Sequence, residues 1–487
     1  MRNLVSLLGI VLLLASLTHF SSCRKDLGSS EGSLEFSMDT VIFDTVFTTI
    51  GSTTKRFMIY NQDNSPVTIS SIHLAGGVDS KYRINIDGVS GVAFTNVEIP
   101  GEDSLFAFVE VTLDPNNVVD PAMVIDSVVF NTNGVTQDVN LVACGWDAHF
   151  ISPTFNLGGL GPASVVGCDT TWGPGKPIVV YGWAAVDSLC CLTMLPGTHV
   201  YIHKNSGIFV YKEACLKILG SQDQPVEIAS DRLDEFYEDQ AGEWDRIWLF
   251  AESRDNVIQH ALIKNGSVGV QVDSFNLGSA EPTLRMENVV IENMAAASLF
   301  TQGSRVVANN CVFGNAGQYS AAMTIGGNYE FRHCTFGNNW GVSNRETPAV
   351  QVNNWYEDVF GGINVRDLEN AYFGNCIIYG NRSNELIMDG NTSGQFNFQF
   401  ENCLIRVDQE ETDVSNQSLY SNCIINEDPN FLEPSGNNFE LDTLSPARNA
   451  GSLTIVNSNL GILGTDILGN SRTSDGGPDI GAFERQE

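Results

Sequence analysis

The sequence predicts an all-β protein in which a β-sandwich is followed by a parallel β-helix. Short β-branched and aromatic runs, separated by turn residues, fill the first third of the chain, and a repeated Asn-Cys motif fills much of the rest. The composition fits such a chain, because 43% of the 487 residues are hydrophobic and only 17% are charged. A chain of this length can bury a large core and form roughly two or three domains.

The first 33 residues are predicted to be an export signal and a tether. Residues 1–22 combine Arg2 with an apolar stretch and two serines, and Cys23 follows directly. This pattern is typical of a bacterial lipoprotein signal peptide, with Cys23 as the lipidation site. The alternative is an ordinary cleaved signal peptide with an incidental cysteine. Residues 23–33 are polar and are predicted to form the tether.

Residues 34–148 are predicted to form an immunoglobulin-like β-sandwich. They contain about seven short β-branched or aromatic runs, a number and length that favour a sandwich. The residues Tyr60-Asn61, Pro66 to Ile69 and Ile99 to Glu102 resemble those of immunoglobulin-like modules beside bacterial cell-surface domains. The following residues, 149–176, are rich in Gly and Pro, so they are predicted to be a linker or a first cap.

Residues 177–430 contain the repeat that predicts the parallel β-helix. An Asn or His precedes a Cys, then come apolar residues, at Asn310-Cys311, His333-Cys334, Asn375-Cys376, Asn402-Cys403 and Asn422-Cys423. The cysteines recur every 20 to 27 residues, with one interval of 42. A period in the low twenties is one coil of a parallel β-helix, whose coils bury their inward side chains only by stacking on one another.

The period of two along each strand predicts that these cysteines point inward as small apolar fillers. The preceding Asn is expected at the bend, where amides of adjacent coils can hydrogen-bond to each other and to the backbone. A metal or redox site is the alternative, but the run contains no CxxC cluster. Cys190 and Cys191 are neighbours and point to opposite faces, so at most one of them is expected in the core.

Two stretches resemble the Bacteroidetes-type right-handed parallel β-helix lipoproteins, which have a pectate-lyase-like solenoid. The first is 192–265, which includes Leu195 to Tyr201 and Gly242 to Ile247, and the second is the ending, with Leu444 to Gly451 and Gly476 to Glu484. The resemblance implies a right-handed helix with a C-terminal cap segment at 431–487. The predicted fold is thus all-β, an N-terminal β-sandwich followed by a right-handed parallel β-helix.

The resemblance also implies a location. Arg24-Lys25-Asp26 is similar to the charged sequences that send such lipoproteins to the outer leaflet. We therefore expect a cell-envelope protein that is lipid-anchored to the outer membrane and exposed at the surface. A generic polar tether is the alternative interpretation of these three residues.

The charge of the chain limits its partners. With 58 acidic and 25 basic residues, the formal charge is −33. Such a field repels nucleic acid and anionic lipid, so no nucleic-acid partner is expected, and membrane contact is expected only through the lipid anchor. A polyanionic glycan such as pectate could approach only where Ca²⁺ bridges the carboxylates. The predicted partner is an extracellular glycan or another surface molecule.

An acidic insertion between coils is the first candidate site. Its carboxylates Asp231, Asp234, Glu238 and Asp245 are the candidate catalytic residues, and Phe236, Tyr237 and Trp244 are candidate ligand-binding residues. Aromatic rings stack on sugars, and carboxylates bind hydroxyl groups or act as acid and base. Asp231, Asp234 and Glu235 are the candidate Ca²⁺ ligands, and no other cofactor is predicted. The alternative, which the sequence favours, is a solvated loop.

A second candidate lies between Trp340 and Tyr372, where Trp355 and Tyr356 are the candidate ligand-binding residues. This segment either forms an extra coil or folds out as a loop beside the stack. Loops on a rigid solenoid are places where binding is expected.

The catalytic motifs of enzymes that share this solenoid are missing from the sequence. It contains no Asp-Asp pair with Gly-His-Gly and no HExxH. His199 and His203 are four residues apart and are expected on one face of a strand. They are either a metal-binding pair or an incidental pair of exposed histidines. We therefore predict a non-catalytic glycan-binding protein. A polysaccharide lyase or glycoside hydrolase is the first alternative, and a structural adhesin is the second.

Overall fold

The computed structural model describes residues 34–48, 51–115, 119–273, 281–474 and 476–486. The predicted signal peptide, the tether and Cys23 lie outside these residues. The described chain divides near residue 145 into an antiparallel unit, which ends at Gly145, and a parallel unit, which begins at Trp146. In the described part of the chain, no helix is long and apolar enough to cross a membrane.

The antiparallel unit consists of two five-stranded sheets, ordered β1-β3-β8-β5-β6 and β2-β10-β9-β4-β7. Its strands are β1 Glu35–Phe36, β2 Thr40–Phe47, β3 Lys55–Asn61, β4 Val67–Leu74, β5 Tyr82–Ile86, β6 Val89–Gly91, β7 Ala93–Ile99, β8 Asp103–Val111, β9 Ala122–Thr132 and β10 Val135–Trp146.

Alternation along the strands builds the core of this unit. In β8, Ala107, Val109 and Val111 are fully buried, whereas Phe106 and Phe108 between them are exposed. Inward residues of both sheets belong to one hydrophobic cluster. Each antiparallel sheet therefore has one apolar and one solvated face, as the period of two predicts.

The parallel unit contains a nineteen-stranded and a ten-stranded sheet. Strands of the larger sheet are β11 His149–Ile151, β14 Thr171–Trp172, β15 Ile178–Val180, β17 Cys191–Met194, β18 His199–Ile202, β20 Cys215–Leu219, β21 Val226–Ser230, β23 Asn256–Lys264, β25 Leu284–Glu292, β27 Arg305–Asn309, β28 Val312–Phe313, β30 Gly327–Arg332, β31 Thr335–Asn338, β35 Leu368–Gly374, β36 Ile377–Gly380, β38 Gln399–Glu401, β39 Leu404–Ile405, β40 Tyr420–Ser421 and β41 Ile424–Ile425.

The ten-stranded sheet alternates with the larger one along the chain. Its strands are β12 Phe155–Asn156, β13 Pro162–Val165, β16 Trp183–Val186, β19 Gly207–Val210, β22 Trp244–Leu249, β24 Gly266–Asp273, β26 Ala297–Gln302, β29 Tyr319–Thr324, β32 Val350–Asn353 and β37 Leu386–Asp389. Except for the antiparallel pair β12–β13, its strands pair in parallel.

Within the described ranges, the remaining elements are two hairpins, two short helices and four single turns. They are β33 Trp355–Glu357 with β34 Ile363–Val365, β42 Phe431–Glu433 with β43 Asn438–Leu441, α1 Leu453–Ser458, α2 Leu460–Leu463, and 3₁₀ turns at Gly77–Asp79, Gly158–Leu160, Glu235–Tyr237 and Pro434–Gly436.

Strands of the larger sheet stack in register along its whole length. One column of paired residues runs from Ile178 through Val200, Ile228, Ile263, Ile291, Phe313, Phe336, Ile378 and Ile405 to Ile425. A second column includes stacked rings, with 5.1 Å between Phe331 and Phe373 and 4.7 Å between Phe373 and Phe400. The all-β prediction with long parallel pairing is confirmed.

The cysteines of the repeat are buried and free. Cys311, Cys334, Cys376 and Cys403 are fully buried, and Cys423 is half-buried. Burial raises the pKa of the Cys334, Cys376 and Cys403 thiols well above the ordinary value. The predicted role as small apolar fillers is therefore confirmed, because a buried neutral thiol behaves as a small hydrophobe.

The expectation for Cys190 and Cys191 was incomplete. Each forms a disulfide with a neighbouring repeat, as Cys168–Cys190 and Cys191–Cys215. The two side chains do point to opposite faces, but neither is fully buried. Residues 149–176, predicted as a linker or first cap, contain β11 to β14 and the first of these bridged cysteines.

The Asn and His residues that open each repeat sit at the bend in the left-handed conformation. The φ angles are 51° at Asn310, 50° at His333, 52° at Asn375 and 51° at Asn402. Asn adopts this region more readily than other residues that carry a side chain, which explains its recurrence. The predicted amide ladder is present in part, because Asn310 Nδ2 donates to Asn288 Oδ1 at 3.2 Å.

The C-terminal segment, residues 431–486, lies along these bends. Asn402 Nδ2 donates to the carbonyl of Ala450, Asn375 exchanges two hydrogen bonds with the backbone of Ser452, and Asn310 Nδ2 donates to the carbonyls of Ile462 and Thr465. The segment predicted as a cap therefore also covers the side of the stacked sheet and saturates the polar groups of its bends.

Candidate functional site

The acidic insertion lies between β21 and β22 and so connects the two parallel sheets. Asp231, at its start, has a side chain that is 8% exposed, and its Oδ2 lies 2.7 Å from His203 Nδ1. The Tyr181 hydroxyl also donates to Asp231, and its ring stacks on His203 with 4.5 Å between the centroids. Burial raises the pKa of Asp231, and the hydrogen bond from His203 opposes this shift. Asp231 therefore orients a histidine and a tyrosine.

The remaining predicted carboxylates have separate partners. Asp234 pairs with Arg232 at 3.6 Å, and Asp245 pairs with the neighbouring Arg246 at 2.5 Å. Glu238 is exposed, and its backbone carbonyl accepts a hydrogen bond from Asn265. These contacts give the predicted catalytic set no common centre, because each carboxylate that forms a side-chain contact forms it with a different group.

The predicted aromatic residues of the insertion divide into three environments. Phe236 is 72% exposed, whereas Tyr237 packs under the guanidinium of Arg232 at 3.8 Å. Trp244 is 1% exposed, lies in the main core, and donates its indole N–H to the carbonyl of Lys264. The prediction that Trp244 binds a ligand is therefore wrong, because its position in β22 turns the ring inward.

A calcium site at Asp231, Asp234 and Glu235 is not formed. In the ranges that the structure describes, no group of three or more His, Cys, Asp or Glu side chains is placed to hold a metal ion. His199 and His203 do not form a metal pair either, because His199 Nδ1 lies 3.2 Å from Glu227 and His203 faces Asp231. Four residues along a strand span about 13 Å, which is too far for one ion.

Glu292, at the end of β25, is a titratable residue that the sequence analysis missed. It is largely buried, and burial raises the pKa of its carboxyl to about 7. Lys264 lowers this pKa, and Asp239 of the acidic insertion raises it. Asp239 is held nearby by Asn293, whose Nδ2 donates to it at 3.1 Å.

The outer side of the ten-stranded sheet presents a second group of side chains, which we call the tryptophan face. It comprises side chains on the side of five strands that faces away from the core, together with the adjacent Phe250 and Trp355. Its members are Trp248, Phe250, Gln271, Asp273, Phe300, Gln302, Gln351, Asn353, Trp355 and Asp389. Most of these side chains are partly exposed, but Gln271 and Asp273 are 6% and 5% exposed.

An indole–carboxylate pair lies at one end of the tryptophan face. Trp248 Nε1 donates to Asp273 Oδ2 at 2.6 Å, and the Gln271 amide donates to the same carboxylate. The rings of Phe209 and Phe250 contact the indole edge to face, with centroids 5.6 and 5.9 Å away. Burial raises the pKa of Asp273. The half-buried indole is therefore held in one orientation while part of its surface faces solvent.

A similar pair lies at the other end of this face. Trp355 Nε1 donates to Asp389 Oδ2 at 3.1 Å. Trp355 belongs to the hairpin β33–β34, which forms a two-stranded sheet of its own. Both alternatives for the segment are met in part, because β32 within it pairs in parallel in the ten-stranded sheet and 355–365 form the separate hairpin. Tyr356 in this hairpin is 37% exposed. The structure thus brings the predicted Trp355 into the tryptophan face.

A signal for Trp248 was present in the sequence. The run from Ile247 to Phe250 alternates, with Ile247 and Leu249 buried, so Trp248 and Phe250 fall on the outer face. Nothing in the sequence indicated the pairing with Asp273, because it depends on the register of two strands 25 residues apart.

No protein-family model matches the chain, and no curated protein matches it. Among solved structures, a family 123 glycoside hydrolase from Clostridium perfringens is 9% identical at a TM-score of 0.17, over 22% of this chain and 23% of that one. A PapD-like domain of human CEP192 is 11% identical at a TM-score of 0.18, over 27% of this chain and 97% of that one. A protein of unknown function from Porphyromonas gingivalis W83 is 13% identical at a TM-score of 0.17, over 29% of this chain and 57% of that one. Similarities of this size carry no argument about function.

Proposed function

We propose that this is a lipid-anchored cell-envelope protein that binds an extracellular glycan on its tryptophan face and has no catalytic activity. In this proposal the parallel sheets are faces of a right-handed β-helix, and the antiparallel unit is an immunoglobulin-like spacer. The in-register parallel columns support the helix. The shared core of the two antiparallel sheets supports a sandwich.

The observation that carries the binding proposal is the pair of oriented indoles, Trp248 on Asp273 and Trp355 on Asp389. A fixed aromatic ring presents a flat apolar surface to a sugar. Because the ring is already held in one orientation, binding costs little additional side-chain entropy. Amide side chains beside the indoles can donate to and accept from hydroxyl groups. The non-catalytic part rests on the predicted carboxylates, which have separate partners.

The proposed envelope location has support in the cysteines. Two disulfides bridge Cys168 to Cys190 and Cys191 to Cys215, and such bonds persist in oxidising compartments outside the cytoplasm. The test of the anchor is a Cys23→Ala variant expressed in a Gram-negative host. We expect the protein to move from the detergent-soluble membrane fraction to the aqueous fraction. Unchanged membrane association would contradict lipidation at Cys23.

A glycoside hydrolase or polysaccharide lyase is the second candidate, and Glu292 favours it. A carboxyl with a pKa of about 7 keeps a proton near neutral pH, which a general acid requires, and Asp239 is a second carboxylate close to it. A structural adhesin is the third candidate, favoured by Phe360, which is 94% exposed at the tip of the β33–β34 hairpin.

A glycan array with the mature protein tests the proposal. We expect retention on at least one glycan, loss of retention in Trp248→Ala, and no change in Tyr379→Ala, a half-buried aromatic on the larger sheet. The same incubations, followed for new reducing ends and for unsaturated products absorbing ultraviolet light, separate the candidates. Turnover that disappears in Glu292→Gln would establish the enzyme. If the protein shows no binding and no turnover, the structural adhesin is the remaining candidate.

A further inference from the structure

We infer that the ligand of the tryptophan face is an uncharged polysaccharide chain that lies across the strands and reaches from Trp248 to Trp355. This inference rests on the proposed glycan binding and adds the charge class and the length of the ligand.

The register of the face supports a polymeric ligand. Trp248, Gln271, Phe300, Ala322 and Gln351 occupy paired positions on five successive strands. A second row is formed by Asp273, Gln302 and Thr324, and later by Asn353 and Asp389. Both rows run perpendicular to the strands in steps of about 4.8 Å. Ala322 interrupts the first row, and Gln271 and Asp273 are largely buried, so the partly exposed rings, amides and hydroxyls are spread along the face. Groups spread in this way fit a polymer with repeating hydroxyl groups better than a compact ligand.

The charge of the face favours a neutral ligand. Among the described residues of the two rows, the charged side chains are Asp273 and Asp389, and both are acidic. Beside Trp248, the Arg246 guanidinium lies 5.8 Å from the ring and already bonds to Asp245 and Gln271. A uronate would therefore meet carboxylates, in a chain whose formal charge is −33. Hydroxyl groups of a neutral sugar can donate to Asp389 and bond to the amides of Gln302 and Gln351, which are partly exposed, whereas Asp273 is largely buried.

The distance between the two indoles indicates a long ligand. Trp248 lies on β22, and the partner of Trp355 lies on β37, which is five strand steps away in the sheet order. At about 4.8 Å a step, the two indoles are separated by roughly 24 Å along the sheet. A mono- or disaccharide can reach only one of them, whereas a chain of several sugars can contact both.

Binding of soluble polymers to the full mature protein tests the inference. The probes are galactomannan, xylan and dextran as neutral chains and polygalacturonate as the anionic chain, with and without CaCl₂, at 50 and 500 mM NaCl. We expect binding to at least one neutral polymer with little dependence on salt. Trp248→Ala and Trp355→Ala should each weaken it about tenfold or more, because a buried aromatic anchor commonly carries this share of affinity. Trp248→Phe should keep part of the affinity, and Tyr379→Ala should keep all of it.

The outcomes separate this inference from the proposed function. Tighter binding of polygalacturonate than of any neutral chain would overturn the charge class while leaving glycan binding intact. Equal affinity for the polymer and for its disaccharide, with only one tryptophan contributing, would overturn the length. Binding of no glycan would overturn the proposed function and this inference together. Circular dichroism of each variant identifies a loss of binding that comes from unfolding, and in that case the affinity of Trp248→Phe decides.

Discussion

The two halves of the parallel unit are built on the same strand pairing but are stabilised differently. The early half, 149–273, is bridged by two disulfides and carries rings on its outside, such as Trp248 and Tyr181. The later half, 284–430, stacks Phe331, Phe373 and Phe400 inside, and it also carries outer rings such as Phe300 and Trp355. The two halves therefore differ in what holds their coils together more than in where their rings point.

The bends of the later half depend on the C-terminal segment. Residues of this segment form hydrogen bonds with Asn310, Asn375 and Asn402. The ring of Phe439 also lies so close to Gly337 that a side chain at position 337 would clash with it. The early half has covalent bridges, and the later half has this non-covalent cover. The difference lies in what stabilises each half, because both halves contribute side chains to the tryptophan face.

The largest effect on the free energy of unfolding is expected when the C-terminal segment loses the side chain of Arg472. Arg472 and Glu484 are fully buried, 3.1 Å apart, and Arg472 also donates to Asn310. Arg472→Ala leaves a buried carboxylate without its cation, so we expect a loss of about 3–5 kcal/mol in the free energy of unfolding. Urea denaturation measures it. Arg332→Ala, which removes a partly exposed pair with Glu330, should cost under about 1 kcal/mol. Equal effects of the two variants would refute the role of the cover.

Removing a bridge of the early half should have the next largest effect. Cys191 and Cys215 are 24 residues apart, so the Cys191→Ser/Cys215→Ser double variant should lose about 2–4 kcal/mol in the free energy of unfolding. Cys144→Ser, a free half-buried cysteine of the antiparallel unit, is the control with a smaller expected loss. Unaltered stability without the bridge would show that the early half does not depend on it.

The pH dependence of stability should reveal Glu292, at the junction of the two halves. Its pKa is 4.5 when unperturbed and about 7 in the fold, so the folded state holds a proton that the unfolded chain releases. Stability should therefore fall as the pH rises from about 4.5 to about 7. Glu292→Gln removes this loss, and we expect it to be more stable than the wild type at pH 8 by up to about 3 kcal/mol. Thermal melts at pH 4 and pH 8 measure the difference. A variant that is less stable at pH 8 would argue against this burial.

The smallest effect is expected at the tip of the later half's hairpin. Phe360 is 94% exposed, so Phe360→Ser should change the free energy of unfolding by less than about 0.5 kcal/mol. Glycan retention should also be unchanged, because the ring is not part of the tryptophan face. A loss of cell or protein binding in this variant, with glycan retention intact, would support the adhesin instead.

The repeat was predictable from the sequence because its period is local. Cys311, Cys334, Cys376 and Cys403 each directly follow an Asn or a His, at intervals of one or two coils, and their burial follows from alternation along a strand. Trp244 and Trp248 are four residues apart, so strict alternation would place both on one face of β22. A bulge between Arg246 and Ile247 reverses the alternation, and Trp244 therefore lies inside while Trp248 lies outside. No local pattern marked this bulge, so the candidate residues predicted beside β22 did not include Trp248.

Two features were beyond sequence reasoning for a physical reason. The bridges of Cys190 and Cys191 need the register of neighbouring strands, which no local pattern supplies. The C-terminal segment reaches Asn310 from residues up to 162 positions away, and it bonds mostly through backbone carbonyls, which every residue has. Such backbone contacts do not require particular residue types, so the recurring Asn is the one sequence signal of them.

Thiol labelling under native conditions tests the stacked parallel arrangement most directly. Intact protein is treated with an alkylating reagent, before and after denaturation, and each cysteine is quantified by peptide mass spectrometry. We expect Cys311, Cys334, Cys376 and Cys403 to remain unmodified in the native protein and to react fully in denaturant, while Cys168, Cys190, Cys191 and Cys215 react only after reduction. Rapid native labelling of the four buried thiols, or disulfides that join them to distant segments, would contradict the arrangement.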